Sequence, residues 1–460
     1  MKLPIEFEER MRELLGNDFS AFLAAMDTEN VRSLRVNTLK YSTDALESDD
    51  LPCCEKLSFC NEGYIFEHEH IGAHPLHHSG AIYIQEPAAM AAVAAVDIRP
   101  GMKILDLCAA PGGKSTQAAA RLCGEGVIVS NEIDRKRVSI LAQNIERLGI
   151  RNAVITSTDS AEIGKTYNEE FDLVIVDAPC SGEGMMRKNP LAVSEWSIEN
   201  VKMCAERQKE ILKNIAHTVR RGGQLLYSTC TFAPEENEMQ IASFLSENPD
   251  FHLIPVKDAV NESTADGLAS FGEEMKLCRR FYPHVSRGEG QFIALLQRDG
   301  EQEEGINEGR AKKKDKKEKV PKPDPNISIV KDFLKEALTD EGVLETEKYD
   351  IVLFGDGNYY LAPRIVMPHS VKCPGVAVGT VQKGRLVPHH NFFSAYGSLF
   401  KRKIALEADD ERVEKYLHGE SINTDMKNGF AAVLYGTAPM GGAKITSGEA
   451  KNYYPKGLRK

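Results

Sequence analysis

An open α/β sheet with mostly parallel strands is the fold this 460-residue chain predicts. Two observations carry the expectation. Between residues 96 and 300, short apolar runs alternate with stretches of helical spacing, as strands and their covering helices do in a parallel sheet. The first run, Ile104-Leu105-Asp106-Leu107, breaks into Cys108-Ala109-Ala110-Pro111-Gly112-Gly113-Lys114. A strand, a tight turn and a helix start in that order build a ligand cradle outside the carboxyl end of a sheet.

The elements follow in order. Residues 1–95 form an N-terminal section that begins with helix-like spacing and alternates as a strand does from Ser33 to Leu39. Pro87 sits in the first turn of an alanine-rich helix, and 97–101 turns the chain toward the cradle strand. Strands are expected near 103–108, 127–132, 153–158, 173–177, 224–228 and 292–296. Helices should fill the gaps, most clearly over 134–148 and 200–220, with Arg220-Arg221-Gly222-Gly223 as a stop. Residues 301–325 change character: Lys312-Lys313-Lys314-Asp315-Lys316-Lys317 and then prolines read as a flexible basic linker. Residues 326–460 regain apolar segments, with Gly- and Pro-punctuated strands near the end.

Composition narrows the class. A chain this long exceeds one typical core. With 42% hydrophobic and 27% charged residues it reads as a soluble globular protein. No run approaches the length of a membrane helix, and the start turns acidic at once, so a cytoplasmic protein is expected. A net charge of −11 argues against tight non-specific nucleic-acid binding but not against RNA met by a local basic face. Ten dilute cysteines do not form a disulfide framework. Cys53, Cys54 and Cys60 lie near His68, His70, His74, His77 and His78 but lack paired Cys-x-x-Cys spacing, so no metal site is expected.

The cradle excludes two ligands by spacing. A triphosphate loop needs glycine where Cys108 stands, and the dinucleotide fingerprint is missing. Gly112 and Gly113 would permit close backbone approach. Glu132 ends the second strand, where an acid accepts hydrogen bonds from ribose hydroxyls. Asp159, past the third strand, could receive an adenine amino group. An adenosine cofactor without a pyrophosphate grip fits S-adenosylmethionine better than a nicotinamide dinucleotide.

Cys180, in Asp177-Ala178-Pro179-Cys180, and Cys230, in Ser228-Thr229-Cys230, sit at the ends of strands expected to be adjacent. Their neighbours read as turn residues, whereas Cys108, Cys123, Cys204, Cys278 and Cys373 read as small buried hydrophobes. Pro234-Glu235-Glu236 reads as a helix start whose dipole would favour a thiolate at Cys230 and whose acids would offset it. Two thiols and Asp177 beside a methyl donor suit methylation of a cytosine ring carbon. A thiolate adds to carbon 6, carbon 5 becomes nucleophilic, and Asp177 holds ring nitrogen 3 and the amino group. These residues alone leave open which thiol attacks. They also leave open an exocyclic-nitrogen or small-molecule methyltransferase on the same fold, and a non-catalytic RNA binder.

At these motifs, with Asn131-Glu132, Ser181-Gly182-Glu183-Gly184 and Arg287-Gly288-Glu289-Gly290-Gln291-Phe292, the chain resembles the Nop/Sun family of RNA cytosine-5 methyltransferases over about 30–297. The resemblance implies a Rossmann-like methyltransferase sheet. It also implies S-adenosylmethionine held by Cys108, Ala109, Ala110, Pro111, Gly112, Gly113 and Lys114 with Glu132, Asp159 and Asp177. Cys230 would be the nucleophile and Cys180 would assist product release. The flanking segments are similar to the bacterial RsmF type, which acts on small-subunit ribosomal RNA. That likeness implies an N-terminal RNA-contact region and a C-terminal PUA-like RNA-binding domain, carried by 379–389 and 451–459. Transfer RNA or another rRNA cytosine stays open as the target.

Overall fold

The computed structural model describes residues 2–48, 51, 53–67, 70–301 and 324–459. Most of the expected basic linker, His68, and the side chains of Cys53 and Cys54 lie outside the described residues. The N-terminal part runs α1 (Ile5–Leu15), α2 (Phe19–Met26), β1 (Ser33–Val36), α3 (Thr43–Ser48), β2 (Cys53–Lys56), β3 (Gly63–Phe66), α4 (Pro75–His78), β4 (Ile82–Ile84) and α5 (Pro87–Ala94). Its four strands form an antiparallel sheet ordered β2-β3-β1-β4. The expected alternation in β1 is not a half-exposed pattern, because all four of its residues are buried. Arg35 is turned inward, donating to Gln85 at 3.0 Å and to Thr116 at 2.8 Å, which fastens this sheet beneath the cradle helix.

The central sheet follows from alternating elements: β5 (Lys103–Asp106), α6 (Gly113–Arg121), β6 (Val127–Asn131), α7 (Arg135–Leu148), β7 (Ala153–Thr156), α8 (Ser160–Thr166) and β8 (Phe171–Asp177). After α9 (Pro190–Glu195) and α10 (Ile198–Ile215) come β9 (Val219–Thr229), α11 (Glu238–Glu247), β10 (Phe251–Leu253), α12 (Asp258–Glu262), β11 (Ala265–Asp266), β12 (Arg279–Phe281) and β13 (Gln291–Arg298). Spatial order is β7-β6-β5-β8-β9-β13, parallel from β7 to β9 with β13 antiparallel to β9. This is a Rossmann-like α/β sheet. The order reverses between β5 and β8, where such sheets open a crevice at their carboxyl ends.

One boundary differs from expectation. The helix from Ile198 ends at Ile215, and Arg220 to Gly223 lie inside β9 rather than ending a helix. Gly222 has φ +70° and the register against β8 shifts between Phe171 and Leu173, so the two glycines make a strand irregularity.

The C-terminal part consists of α13 (Asn326–Ala337), α14 (Asp340–Thr346), β14 (Asp350–Leu353), β15 (Tyr359–Ala362), β16 (Val371–Cys373), β17 (Val376–Gln382), β18 (Arg385–Pro388), α15 (His390–Tyr396), β19 (Lys403–Leu406), α16 (Arg412–Leu417), β20 (Ile422–Asn423), β21 (Gly429–Tyr435), β22 (Ala438–Thr446) and β23 (Glu449–Asn452). It is built into the rest of the molecule. Strand β16 extends the central sheet antiparallel to β7. Leu34, Tyr64, Phe66 and Ile82 share one apolar core with Ile404, Leu406, Tyr416 and Met440. Lys40 Nζ spans all three parts, lying 2.8 Å from the Ser79 and Arg147 carbonyls, 2.9 Å from Ser394 Oγ and 3.1 Å from the Pro439 carbonyl. Burial holds its pKa well below the ordinary lysine value, with Arg147 and Arg151 adding to the effect.

A chain ending before Asn326 is therefore expected to lose stability rather than only a tethered module. Each fully buried leucine-sized side chain contributes about 1.5–3 kcal/mol. Uncovering several should lower the melting temperature by more than about 10 °C. Calorimetric melting of the truncated chain checks this, and an unchanged midpoint contradicts it.

Candidate active site

The cradle is pinned from beneath. The Leu107 N–H donates to the Ile175 carbonyl and the Ala109 N–H to the Asn131 carbonyl, at 2.9 and 2.8 Å. Gly112 (φ +112°) takes the left-handed conformation that turns the chain into α6. Gly113, which begins α6, packs against the N-terminal sheet. A Cβ there would point at Gln85, 3.3 Å away, so its smallness serves that packing.

Two carboxyls at the strand ends retain unused acceptors. Asp106 is fully buried; Ser115 donates to its Oδ2 at 2.6 Å, and its Oδ1 has no partner. Burial raises its pKa to about 7, against the Ser115 hydrogen bond. Glu132 is also buried. Its Oε1 accepts the Asp134 N–H at 2.9 Å, while Oε2 faces Arg137 Nη1 at 3.3 Å without a hydrogen bond. Asp159 is exposed and caps α8, accepting the Glu162 N–H at 2.8 Å. Asn131 ties these ends together. Its amide donates to the Leu107 and Thr158 carbonyls at 3.0 Å, and its oxygen accepts from Thr156 Oγ1 and the Thr158 N–H.

Lys114, at the start of α6, reaches Asp177 Oδ2 at 2.8 Å, and Ser228 Oγ donates to Asp177 Oδ1 at 2.8 Å. Burial acts to lower the Lys114 pKa, but the Asp177 ion pair, with Cys230 and Asp106 nearby, raises it above the ordinary lysine value. The cradle helix and the strand-end acid are thus joined by charge.

Beyond Asp177 and Thr229 the two thiols meet, with Cys180 Sγ 3.2 Å from Cys230 Sγ. The Cys180 pKa stands well above the ordinary thiol value. The hydrogen bond between the two thiols is the first cause, burial the second, and the charge of Cys230 adds to both. Cys180 keeps its proton.

The surroundings of the thiols differ from a polar turn. Ser181, Glu183, Thr231 and Glu236 are all buried. Glu236 is no solvated helix-start acid: it accepts from the Ser181 N–H at 3.0 Å and Gln208 Nε2 at 2.8 Å, and its Oε1 lies within hydrogen-bond distance of Ser181 Oγ. Residues Pro234–Glu236 form a 3-10 turn, and α11 begins two residues later; Glu235 instead pairs with Arg10 at 2.7 Å. Glu183 accepts Trp196 Nε1, Thr231 Oγ1 and the Phe232 N–H, each at 2.9 Å. The Gly184 N–H donates to the Cys230 carbonyl at 2.9 Å, and a Cβ on Gly184 would meet Gly290 at 2.6 Å. Sequence reasoning missed Glu183; its place between Gly182 and Gly184, in the loop after β8, is the signal that could have marked it.

Of the other thiols, Cys204 and Cys278 are buried as expected, Cys108 and Cys373 are half-buried, and Cys123 is exposed at the turn after α6. Among the described residues no group of three His, Cys, Asp or Glu side chains could hold a metal ion. Nor, among them, is any helix long and apolar enough to cross a membrane.

Three family profiles match the chain. The one described as 16S rRNA methyltransferase RsmB/F covers residues 93–297, the N-terminal domain of 16S rRNA methyltransferase RsmF covers 3–87, and the methyltransferase RsmF PUA domain covers 403–460. The profile called PUA therefore takes in the closing segment 451–459 but not 379–389. The chain is 37% identical over 314 residues to ribosomal RNA small subunit methyltransferase F of Pectobacterium atrosepticum, across 65% of this chain and 63% of that protein. Its match to the protein of the same name from Escherichia fergusonii is 37% identical over 312 residues, across 64% and 63%. The chain spans less than two thirds of the length of these relatives. A solved methyltransferase homolog from Pyrococcus horikoshii superposes with a TM-score of 0.56 at 32% identity, covering 63% of this chain and 93% of that one.

Proposed function

The chain belongs to the RsmB/F family of 16S rRNA methyltransferases, and from that premise we propose that it methylates carbon 5 of a cytosine in small-subunit ribosomal RNA through a covalent bond to Cys230. The observation that carries the reading is the thiol pair. The two sulfurs meet at 3.2 Å close to the Lys114–Asp177 ion pair, and the raised pKa of Cys180 keeps that thiol protonated and unfit to attack. S-adenosylmethionine, when bound, supplies an electrophilic methyl group.

The chain's own residues suit that cofactor. Glu132 has a buried oxygen without a hydrogen bond where ribose hydroxyls would donate, and Asp106 has another behind the cradle. Cys108 to Lys114 would line the cofactor with backbone, and Asp159, though capping α8, is exposed with one carboxylate oxygen left for an adenine amino group. Glu132→Ala is expected to weaken S-adenosylmethionine binding about ten- to a hundredfold, the loss of a charge-assisted hydrogen bond of about 1.5–3 kcal/mol. Titration calorimetry checks this, and unchanged affinity in a folded variant contradicts it.

On the base, the Cys230 thiolate adds to carbon 6 and makes carbon 5 nucleophilic. Asp177, anchored by Lys114 and Ser228, accepts from the amino group and from ring nitrogen 3 once that nitrogen takes a proton from solvent as charge develops there. Once Cys230 is bonded to carbon, its charge no longer opposes ionisation of Cys180. Cys180 can then release its proton to solvent, take the carbon 5 proton, and let the carbon–sulfur bond break.

The N-terminal part and the PUA-like closing segment would hold the RNA, and an rRNA substrate places the enzyme in the cytoplasm. Digestion of product RNA and identification of 5-methylcytosine tests the reading; a methylated exocyclic nitrogen would overturn it.

A further inference from the structure

The loops that carry the thiols are joined by a line of four oxygens. Glu236 Oε1 meets Ser181 Oγ, Ser181 Oγ meets Thr231 Oγ1 at 2.9 Å, and Thr231 Oγ1 meets Glu183 Oε2 at 2.9 Å. Each of the three contacts needs one proton. Ser181 and Thr231 bring one hydroxyl proton each, and an ionised carboxylate brings none. With both glutamates charged, one of the three contacts sets lone pair against lone pair in a buried site, an arrangement that costs free energy. We propose that Glu236 carries the third proton and is a neutral positioning residue, closing a hydrogen-bonded line that holds the Cys180 loop and the Cys230 loop together.

The partners identify which carboxyl it is. Both oxygens of Glu183 already accept N–H donors, from Trp196 and Phe232. Both N–H donors to Glu236, from Ser181 and Gln208, fall on Oε2, leaving Oε1 with only the Ser181 hydroxyl. A proton on Oε1 points at Ser181 Oγ, Ser181 then donates to Thr231, and Thr231 donates to Glu183.

The charges around the pair agree. Burial raises both carboxyls, Glu236 to about 7, but Arg10 counts among the groups that hold Glu183 down and not among those acting most on Glu236. Glu236 faces Cys180 across the loop, Cys204 on α10 and Tyr227 on β9, all of which its negative charge would disfavour as anions, and Glu183, which raises it further. A neutral Glu236 also keeps a second negative charge away from the thiolate.

Only the kinetic half of the test rests on the covalent reading. Glutamine reproduces a protonated carboxyl at Glu236, its amide facing Ser181 Oγ, but at Glu183 it would turn an amide N–H against a donor. Methylation by Glu236→Ala is expected to fall at least about tenfold, and Glu236→Gln to recover to within about threefold of the starting enzyme. Glu183→Gln is expected to fall at least about tenfold, with thermal melts reporting whether each variant folds.

The infrared difference between the full-length protein and Glu236→Gln should show the carbonyl stretch of one neutral carboxylic acid below about pH 7, and lose it above. The difference is needed because Asp106 and Glu146 are also raised to about 7. Absence of the band, or a folded Glu236→Gln as slow as Glu236→Ala, overturns the proposal. If the alanine variant does not fold, the glutamine variant and the spectrum still decide. A starting protein that shows the band but makes no 5-methylcytosine would instead refute the functional reading.

Discussion

Replacing Cys230 with alanine is expected to reduce RNA methylation by at least about a thousandfold, because it removes the group that makes carbon 5 a nucleophile. Carbon 5 of a neutral cytosine does not attack a methyl donor at a useful rate, and no other residue at the strand ends replaces the lost thiolate. Cys180 is 3.2 Å away, but its contact with Cys230 and its burial hold its pKa well above the ordinary thiol value. The substitution should leave the fold intact. Cys230 is half-buried, and the Gly184 N–H bonds its backbone carbonyl rather than its side chain. Unchanged melting and S-adenosylmethionine affinity beside lost turnover would assign the effect to chemistry.

Replacing Cys180 with alanine is expected to stop the reaction at a later point. Addition and methyl transfer use Cys230 and Asp177, so the first half should proceed. Without Cys180 the carbon 5 proton is not removed, the carbon–sulfur bond persists, and turnover falls by at least about a hundredfold. The enzyme should be consumed by its own RNA at one equivalent. Deletion of one thiol empties the pathway and deletion of the other fills it, a contrast that a general loss of stability would not produce.

The sheet and the strand-end positions of the thiols were readable because they depend on short-range patterns. Apolar runs ending in Asp106, Glu132, Asp177 and Thr229, with glycines after the first, place side chains at one edge of a parallel sheet. The error at Arg220 to Gly223 has a local cause, since paired glycines serve a strand irregularity as well as a helix end. What the chain did not disclose depends on distant partners. Glu183 and Glu236 look like solvated loop acids until the backbone brings Ser181, Thr231 and Gln208 around them. Lys40 reads as a surface lysine, yet its partners lie up to 399 residues away in sequence. The shared core of Leu34 and Tyr64 with Ile404 and Met440 is equally invisible to a local pattern.

The covalent assignment is tested most directly by incubating the starting enzyme, Cys230→Ala and Cys180→Ala with substrate RNA and methyl-labelled S-adenosylmethionine, then separating the products on a denaturing gel. The account predicts a labelled protein–RNA band for Cys180→Ala and no such band for Cys230→Ala. A labelled band in Cys230→Ala that is absent from Cys180→Ala would contradict it, because Cys180 would then be the nucleophile.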